Sequence, residues 1–194
     1  MLIVVRHGRT PANASGLLLG RRLDPGLDDL GRRQVDALAQ ALPAPDRVIS
    51  SPLLRTRETA AAFGHPVELD DRWIELDYGT LDGTPLRDVP VEVWAAWRAD
   101  PDLAPGGGES LAVLGERVRS ACDELADEAA ERDVLVVTHV SPVKAALAWA
   151  LGVGDEVAWR AFVAPASITR IAITVEGRPS LHAFNGCAHL DGLT

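Results

Sequence analysis

Lysine is all but missing from this chain of 194 residues. Of its 19 basic residues only Lys144 is a lysine; the others are arginine. The formal net charge is −9. No broad basic face is available, which argues against nucleic acid or an anionic membrane as partner, since both need one. A small anionic ligand stays open, because it needs only a local cluster of arginines. Long apolar runs are missing too. Ala145 to Val153, the longest beyond the N-terminal segment, is far short of the ~18 residues of a membrane span. Met1 to Val5 stops at Arg6, too brief for the apolar region of a signal peptide. Two cysteines, Cys122 and Cys187, make neither a disulfide framework nor a metal motif. Both read as small buried apolar residues in a reducing, cytoplasmic setting. There is no internal repeat and no low-complexity tract. The sequence calls for no metal and no cofactor, and it leaves a homodimer open.

What is present fits one soluble domain over 1–194. The apolar fraction of 47% and charged fraction of 24% are those of a globular chain long enough to bury a core. Leu2 to Val5, Arg47 to Ile49 and Val134 to Val137 are short apolar runs rich in β-formers, as in strands buried on both faces. Pro66 to Leu69 suggests a further strand, and Ile168 to Val175 and Ser180 to Phe184 two late ones. Helices are expected over Asp28 to Leu42, with Asp28 as N-cap, and over Leu53 to Phe63 after Pro52. Leu111, Leu114, Val118, Cys122, Leu125 and Ala129 recur at steps of three and four and mark a helix over Glu109 to Arg132. Pro142 to Leu151 closes at Gly152 as a last helix. Pro101 to Gly108 reads as a loop. Alternation of strand and helix predicts an α/β fold: a three-layer α/β/α sandwich on a mostly parallel central sheet.

In such sheets ligands bind off the carboxyl ends of the strands. Arg6-His7-Gly8 follows the first strand, with Thr10 and Asn13 close behind. Ser50-Ser51-Pro52-Leu53-Leu54-Arg55 follows the second, and Thr138-His139 the long apolar one. Two guanidiniums, two imidazoles and an amide converging on one edge suit a phosphate dianion, which arginine binds through paired, charge-assisted hydrogen bonds. The helix N-termini after Pro52 and around Pro142 would add backbone N–H groups.

The order of these segments resembles the histidine phosphatase superfamily, also called phosphoglycerate mutase-like. The Arg6-His7-Gly8 signature, the Ser50 to Ala60 stretch, Glu75 ahead of Gly79, Gly108-Glu109-Ser110, Thr138-His139 and the tail Asn185 to Leu190 span nearly the whole chain. The resemblance implies a phosphoglycerate mutase-like fold and a metal-independent phosphomonoesterase acting through a phosphohistidine. His7 would be the nucleophile. Arg6, Asn13, Arg55 and His139 would hold the phosphoryl oxygens. Glu75 would protonate the leaving group and then deprotonate water; Asp77 is the fallback acid.

Other residues have blander readings. Arg57 reads as a solvated helix charge, His65 as surface and His189 as structural, while His182 has no assignable role. Arg9 stands where Glu or Gln is frequent in the family, and Val140 where Gly is. With Gly20, Arg21 and Arg22, Arg9 is a candidate for the substrate rim. Trp94 and Trp97 lie at helical spacing and read as core or lid packing rather than a substrate platform. The substrate expected is a small phosphomonoester. The alternative is a 2,3-bisphosphoglycerate-dependent mutase-type phosphotransferase, disfavoured by the brief segment between Glu75 and Glu109. A third reading is a phospholigand-binding protein without activity. It is weakened by the survival of all five pocket residues.

Overall fold

The computed structural model describes residues 1–193; Thr194, the last residue of the expected domain, lies outside the described residues. Six strands form one sheet: β1 (Leu2–Arg6), β2 (Arg47–Ser50), β3 (Val67–Leu69), β4 (Val134–Thr138), β5 (Ile168–Ile173) and β6 (Pro179–Gly186). Their order is β3-β2-β4-β1-β5-β6. Pairings among β3, β2, β4 and β1 are parallel, and β5 runs antiparallel to both β1 and β6. Every residue of β1 and β4 is buried, which is why both read as unbroken apolar runs rather than alternating ones.

The two faces of these central strands feed two cores. Leu2, Val4, Val134 and Val136 pack under α5 (Leu111–Glu131) and α6 (Val140–Leu151). Ile3, Val5, Leu135 and Val137 pack with Leu38 of α2 (Asp29–Ala41) and Ala60 of α3 (Leu54–Ala61). The result is the three-layer sandwich the alternation predicts. Asp28 caps α2 by accepting from the Gly31 N–H at 2.7 Å, Ser110 caps α5, and Gly152 closes α6 at φ 64°. Helix α6 starts two residues before Pro142. A proline in the first turn costs no helical hydrogen bond, because N–H groups there have no partner in the helix.

Two helices escape the sequence pattern. The short α1 (Pro11–Ala14) is held by a capping box between Thr10 and Asn13. Helix α4 (Val91–Ala99) has one fully buried position, Trp97, and so shows no wide apolar stripe. Trp97 stacks on Trp94, with ring centroids 5.6 Å apart, and meets Trp159 edge to face at 5.0 Å. Cys122 is buried as expected. Cys187 is only half-buried, with its thiol 3.3 Å from the Asn185 carbonyl, because it lies in the turn after an outer strand.

The loop after β1 presses directly onto α2. A Cβ on Gly31 would lie 2.0 Å from the Arg9 carbonyl oxygen, and one on Gly8 would lie 2.8 Å from the Gly31 carbonyl oxygen. Only paired glycines permit this approach, which sets the height of the residue between Arg6 and Gly8. Gly31→Ala must therefore push the loop away and should cost about 1–3 kcal/mol of stability. Urea unfolding checks this; an unchanged midpoint would contradict the close contact.

Candidate active site

Parallel pairing carries three chain segments to one edge of the sheet. Arg6 stands in register with Thr138, and Ser50 with Val137. Pairing continues one step past the strands, where the His7 N–H donates to the Thr138 carbonyl at 2.9 Å and the Ser51 N–H to the Val137 carbonyl at 3.0 Å. His7, Ser51 and His139 are thereby side by side. The His7 and His139 rings meet at 5.2 Å with an interplanar angle of 62°.

Hydrogen bonds orient both imidazoles and set which ring nitrogen carries a proton. His7 Nδ1 lies 2.7 Å from the Gly8 carbonyl, which can only accept, so the proton is on Nδ1 and Nε2 keeps a free lone pair. Arg55 Nε donates to His139 Nδ1 at 3.2 Å, so His139 carries its proton on Nε2 and donates to Ser51 Oγ at 2.7 Å. Burial holds both histidines well below the ordinary imidazole pKa. The charges of Arg6 and Arg55 push the same way on each. A neutral imidazole with a free nitrogen is the state a nucleophile needs.

Arg6 and Arg55 differ in how they are held. Arg55 is fully buried. It donates to the carbonyls of Gly20 (2.7 Å) and Leu23 (3.3 Å) and lies 3.5 Å from an Asp24 oxygen. Arg6 donates to the Val163 carbonyl at 2.7 Å, but its Nε is buried with no partner among the described residues. Burial pulls the Arg6 pKa down to about 10, against the opposing charge of Glu75, so the group stays cationic at neutral pH. A buried guanidinium with an unpaired N–H is a place for an anion.

Asn13 and Glu75 complete the site. Asn13 Oδ1 accepts from the Thr10 N–H (3.1 Å) and hydroxyl (3.0 Å), so its amide NH₂ is the end left to donate. Glu75 is 3% exposed. Its Oε1 accepts from the N–H groups of Leu76 (2.8 Å) and Ser141 (3.2 Å). Arg6, His7, Asn13 and Glu75 line one cavity of about 440 Å³; Arg55 and His139 are not among its lining residues. Asp77, the fallback acid, is outside it as well, and its Oδ1 accepts from the Gly79 N–H.

The rim candidates and the helix N-termini take other partners. None of Arg9, Gly20, Arg21 and Arg22 lines the cavity. Arg9 Nε pairs with Asp28 at 2.8 Å. Arg21 donates to the Glu75 carbonyl at 2.6 Å and to Glu109 at 2.7 Å, and Arg117 grips Glu109 from the other side at 2.9 Å. Arg21 thus fixes the backbone at Glu75. Arg22 is exposed. The N-terminus of α3 is taken by Asp24, which accepts from the Leu54 N–H at 2.8 Å, and that of α6 by Glu75. In both, a protein carboxylate occupies the place expected for phosphate.

Asp82, a residue without an expected role, also serves the site. Its two oxygens accept from the N–H groups of Gly20 (2.8 Å) and Arg22 (2.7 Å), fixing the loop whose Gly20 carbonyl holds Arg55. Nothing local in the sequence marks it, because both contacts are made with a loop some 60 residues earlier.

The fold and site define a phosphoglycerate mutase-like α/β protein with a histidine-arginine centre. The chain belongs to the histidine phosphatase superfamily (branch 1), whose profile matches residues 2–186. Phosphoserine phosphatase 1 of Hydrogenobacter thermophilus is 34% identical over 168 residues, which cover 81% of this chain and 79% of that protein. Bifunctional protein Rv2228c of Mycobacterium tuberculosis is 33% identical over 97% of this chain and 54% of its own length. The chain thus spans about half the length of that relative. Among solved structures, mycobacterial glucosyl-3-phosphoglycerate phosphatase with inorganic phosphate superposes with a TM-score of 0.82. It is 29% identical and covers 97% of this chain and 98% of its own.

The buried neutral histidines predict a pH dependence of stability. In the unfolded chain each imidazole takes up a proton near pH 6.5, while in the folded chain it stays neutral to much lower pH. Below pH 6.5 the unfolded state therefore binds more protons, and stability falls as pH falls; above it the pair contributes no slope. Each imidazole should cost up to about 2 kcal/mol between pH 6.5 and 5. Urea unfolding across that range should show a shallower slope in His7→Gln than in the parent, and equal slopes would contradict the assignment.

Proposed function

We propose that this chain is a metal-independent phosphomonoesterase, working as a single histidine phosphatase domain through a phosphohistidine on His7. The observation that carries this reading is the setting of His7: Nδ1 is tied to the Gly8 carbonyl, which leaves Nε2 as the ring nitrogen to act, and the residue lines a cavity with Arg6, Asn13 and Glu75. Nε2 attacks phosphorus in line, the bond to the ester oxygen breaks, and Glu75 gives its proton to the departing alkoxide. Arg6 and the Asn13 amide hold the phosphoryl oxygens. Arg55 and His139, close behind His7, add charge and orientation to the clamp. Water then attacks the phosphohistidine, Glu75 takes its proton, and phosphate leaves with His7 neutral again. The guanidiniums supply the charge neutralisation that a metal would otherwise give.

The relatives named phosphoserine phosphatase and glucosyl-3-phosphoglycerate phosphatase support hydrolysis of a small phosphorylated metabolite. A mutase must also hold a second anionic group, and beyond Arg6 the cavity lining offers only Lys144 as a cation.

Acid-quenched enzyme should carry acid-labile phosphate, absent from His7→Ala, and EDTA should leave turnover unchanged. Glu75→Gln should lower kcat on alkyl phosphates about 10²–10⁴-fold. The loss should be smaller on p-nitrophenyl phosphate, whose leaving group needs no proton. Full turnover by His7→Ala would sink the reading.

A further inference from the structure

The cavity over His7 has a polar floor and hydrocarbon walls. Leu17, Leu19, Leu86, Val140, Phe162 and Pro165 line it above the polar group just described. Two of them are large side chains open to water: Leu86 is 46% exposed and Phe162 73%. Apolar surface gathered around a site gains free energy when another apolar surface covers it. Lys144, the one further cation of the lining, already donates to the Ala158 carbonyl at 2.7 Å. Arg9 and Arg21 have carboxylate partners of their own outside the cavity.

This distribution selects among leaving groups. A sugar, a glycerate or a second phosphate brings hydroxyls or charges that need hydrogen-bond partners once buried, and leucine, valine, phenylalanine and proline side chains supply none. Leu18, Tyr78, Val140 and Lys144 also line a second cavity of about 150 Å³, together with Trp94, Trp97 and Trp159. Apolar surface therefore continues away from His7.

We propose that the site takes phosphomonoesters of apolar alcohols, alkyl or aryl, with the hydrocarbon seated against Leu86, Val140 and Phe162. This rests on the hydrolase reading above and adds the substrate class to it.

The test is phosphate release from n-alkyl phosphates, ethyl to hexyl, beside phosphoserine, 3-phosphoglycerate and glycerol 3-phosphate. The parent, His7→Ala and Phe162→Ser are assayed together. Alcohols in the alkyl series differ little in acidity, so a trend in kcat/KM reports contact with the walls. The expected rise is about two- to fourfold per methylene until the walls are covered. Hexyl phosphate should exceed all three polar esters, and Phe162→Ser should flatten the slope. A flat series, or fastest His7-dependent release from a polar ester, overturns the substrate class and leaves the hydrolase standing. No release from any ester, or equal release from His7→Ala, overturns the hydrolase and this inference with it.

Discussion

Positive charge buried beside the ends of parallel strands is the constraint on which the rest of the site depends. Arg6 and Arg55 are both out of water, and an isolated buried guanidinium is costly unless its donors are satisfied and its charge is met. For Arg55 the backbone carbonyls of Gly20 and Leu23 do this, with Asp24 at the edge. For Arg6 the Val163 carbonyl and the nearby charge of Glu75 do part of it, and one N–H is left over. Two neighbouring cations also forbid a third and fourth. Burial first, and then those two charges, hold His7 and His139, in ring contact with each other, neutral. Withdrawal from water thus lies behind both the vacant donor and the available lone pair.

The loops around the site serve that condition. Asp82 fixes the Gly20–Arg22 segment through two backbone N–H groups, and so fixes the carbonyl that neutralises part of Arg55. Glu109 bridges Arg21 and Arg117, and both arginines grip the Glu75 carbonyl. The backbone at Glu75 is thus anchored by cations, while its carboxylate is anchored by the Leu76 N–H and by the Ser141 N–H at the start of α6. A side chain held from both ends loses little freedom when a ligand arrives.

Strands β1, β2 and β4 and helices α2, α5 and α6 were legible in the sequence because their signals are local: unbroken apolar runs, N-cap residues, a glycine stop. The residues after each strand were legible because a parallel sheet brings strand ends together whatever else the chain does. The partners of the arginines were not. Arg9, Arg21 and Arg22 look alike in sequence as spare positive charge beside a pocket, yet Arg9 closes on Asp28 and Arg21 on Glu109, 88 residues away. Sequence proximity to a site gives a charge its place and not its direction. Asp82 was invisible for the same reason, since its role is made wholly of contacts with a loop some 60 residues earlier. Helix α4 was faint because a single buried tryptophan, not a stripe, ties it down.

The near absence of lysine acquires a meaning from these contacts. Arg47 spans Glu68 and Glu128, Arg72 spans Asp70 and Glu124, and Arg117 takes both oxygens of Glu109. Each of these needs two or more donors in a fixed plane, which a guanidinium presents and an ammonium does not. Lys144 sits instead in the cavity wall, where a flexible apolar stem with one charged tip can lie along hydrocarbon. The overall charge of −9 gives a phosphate dianion no attraction at long range, and salt at physiological strength screens beyond about 8 Å in any case. Recognition must then be short-ranged, made by the few donors on the cavity floor and by whatever the walls accept.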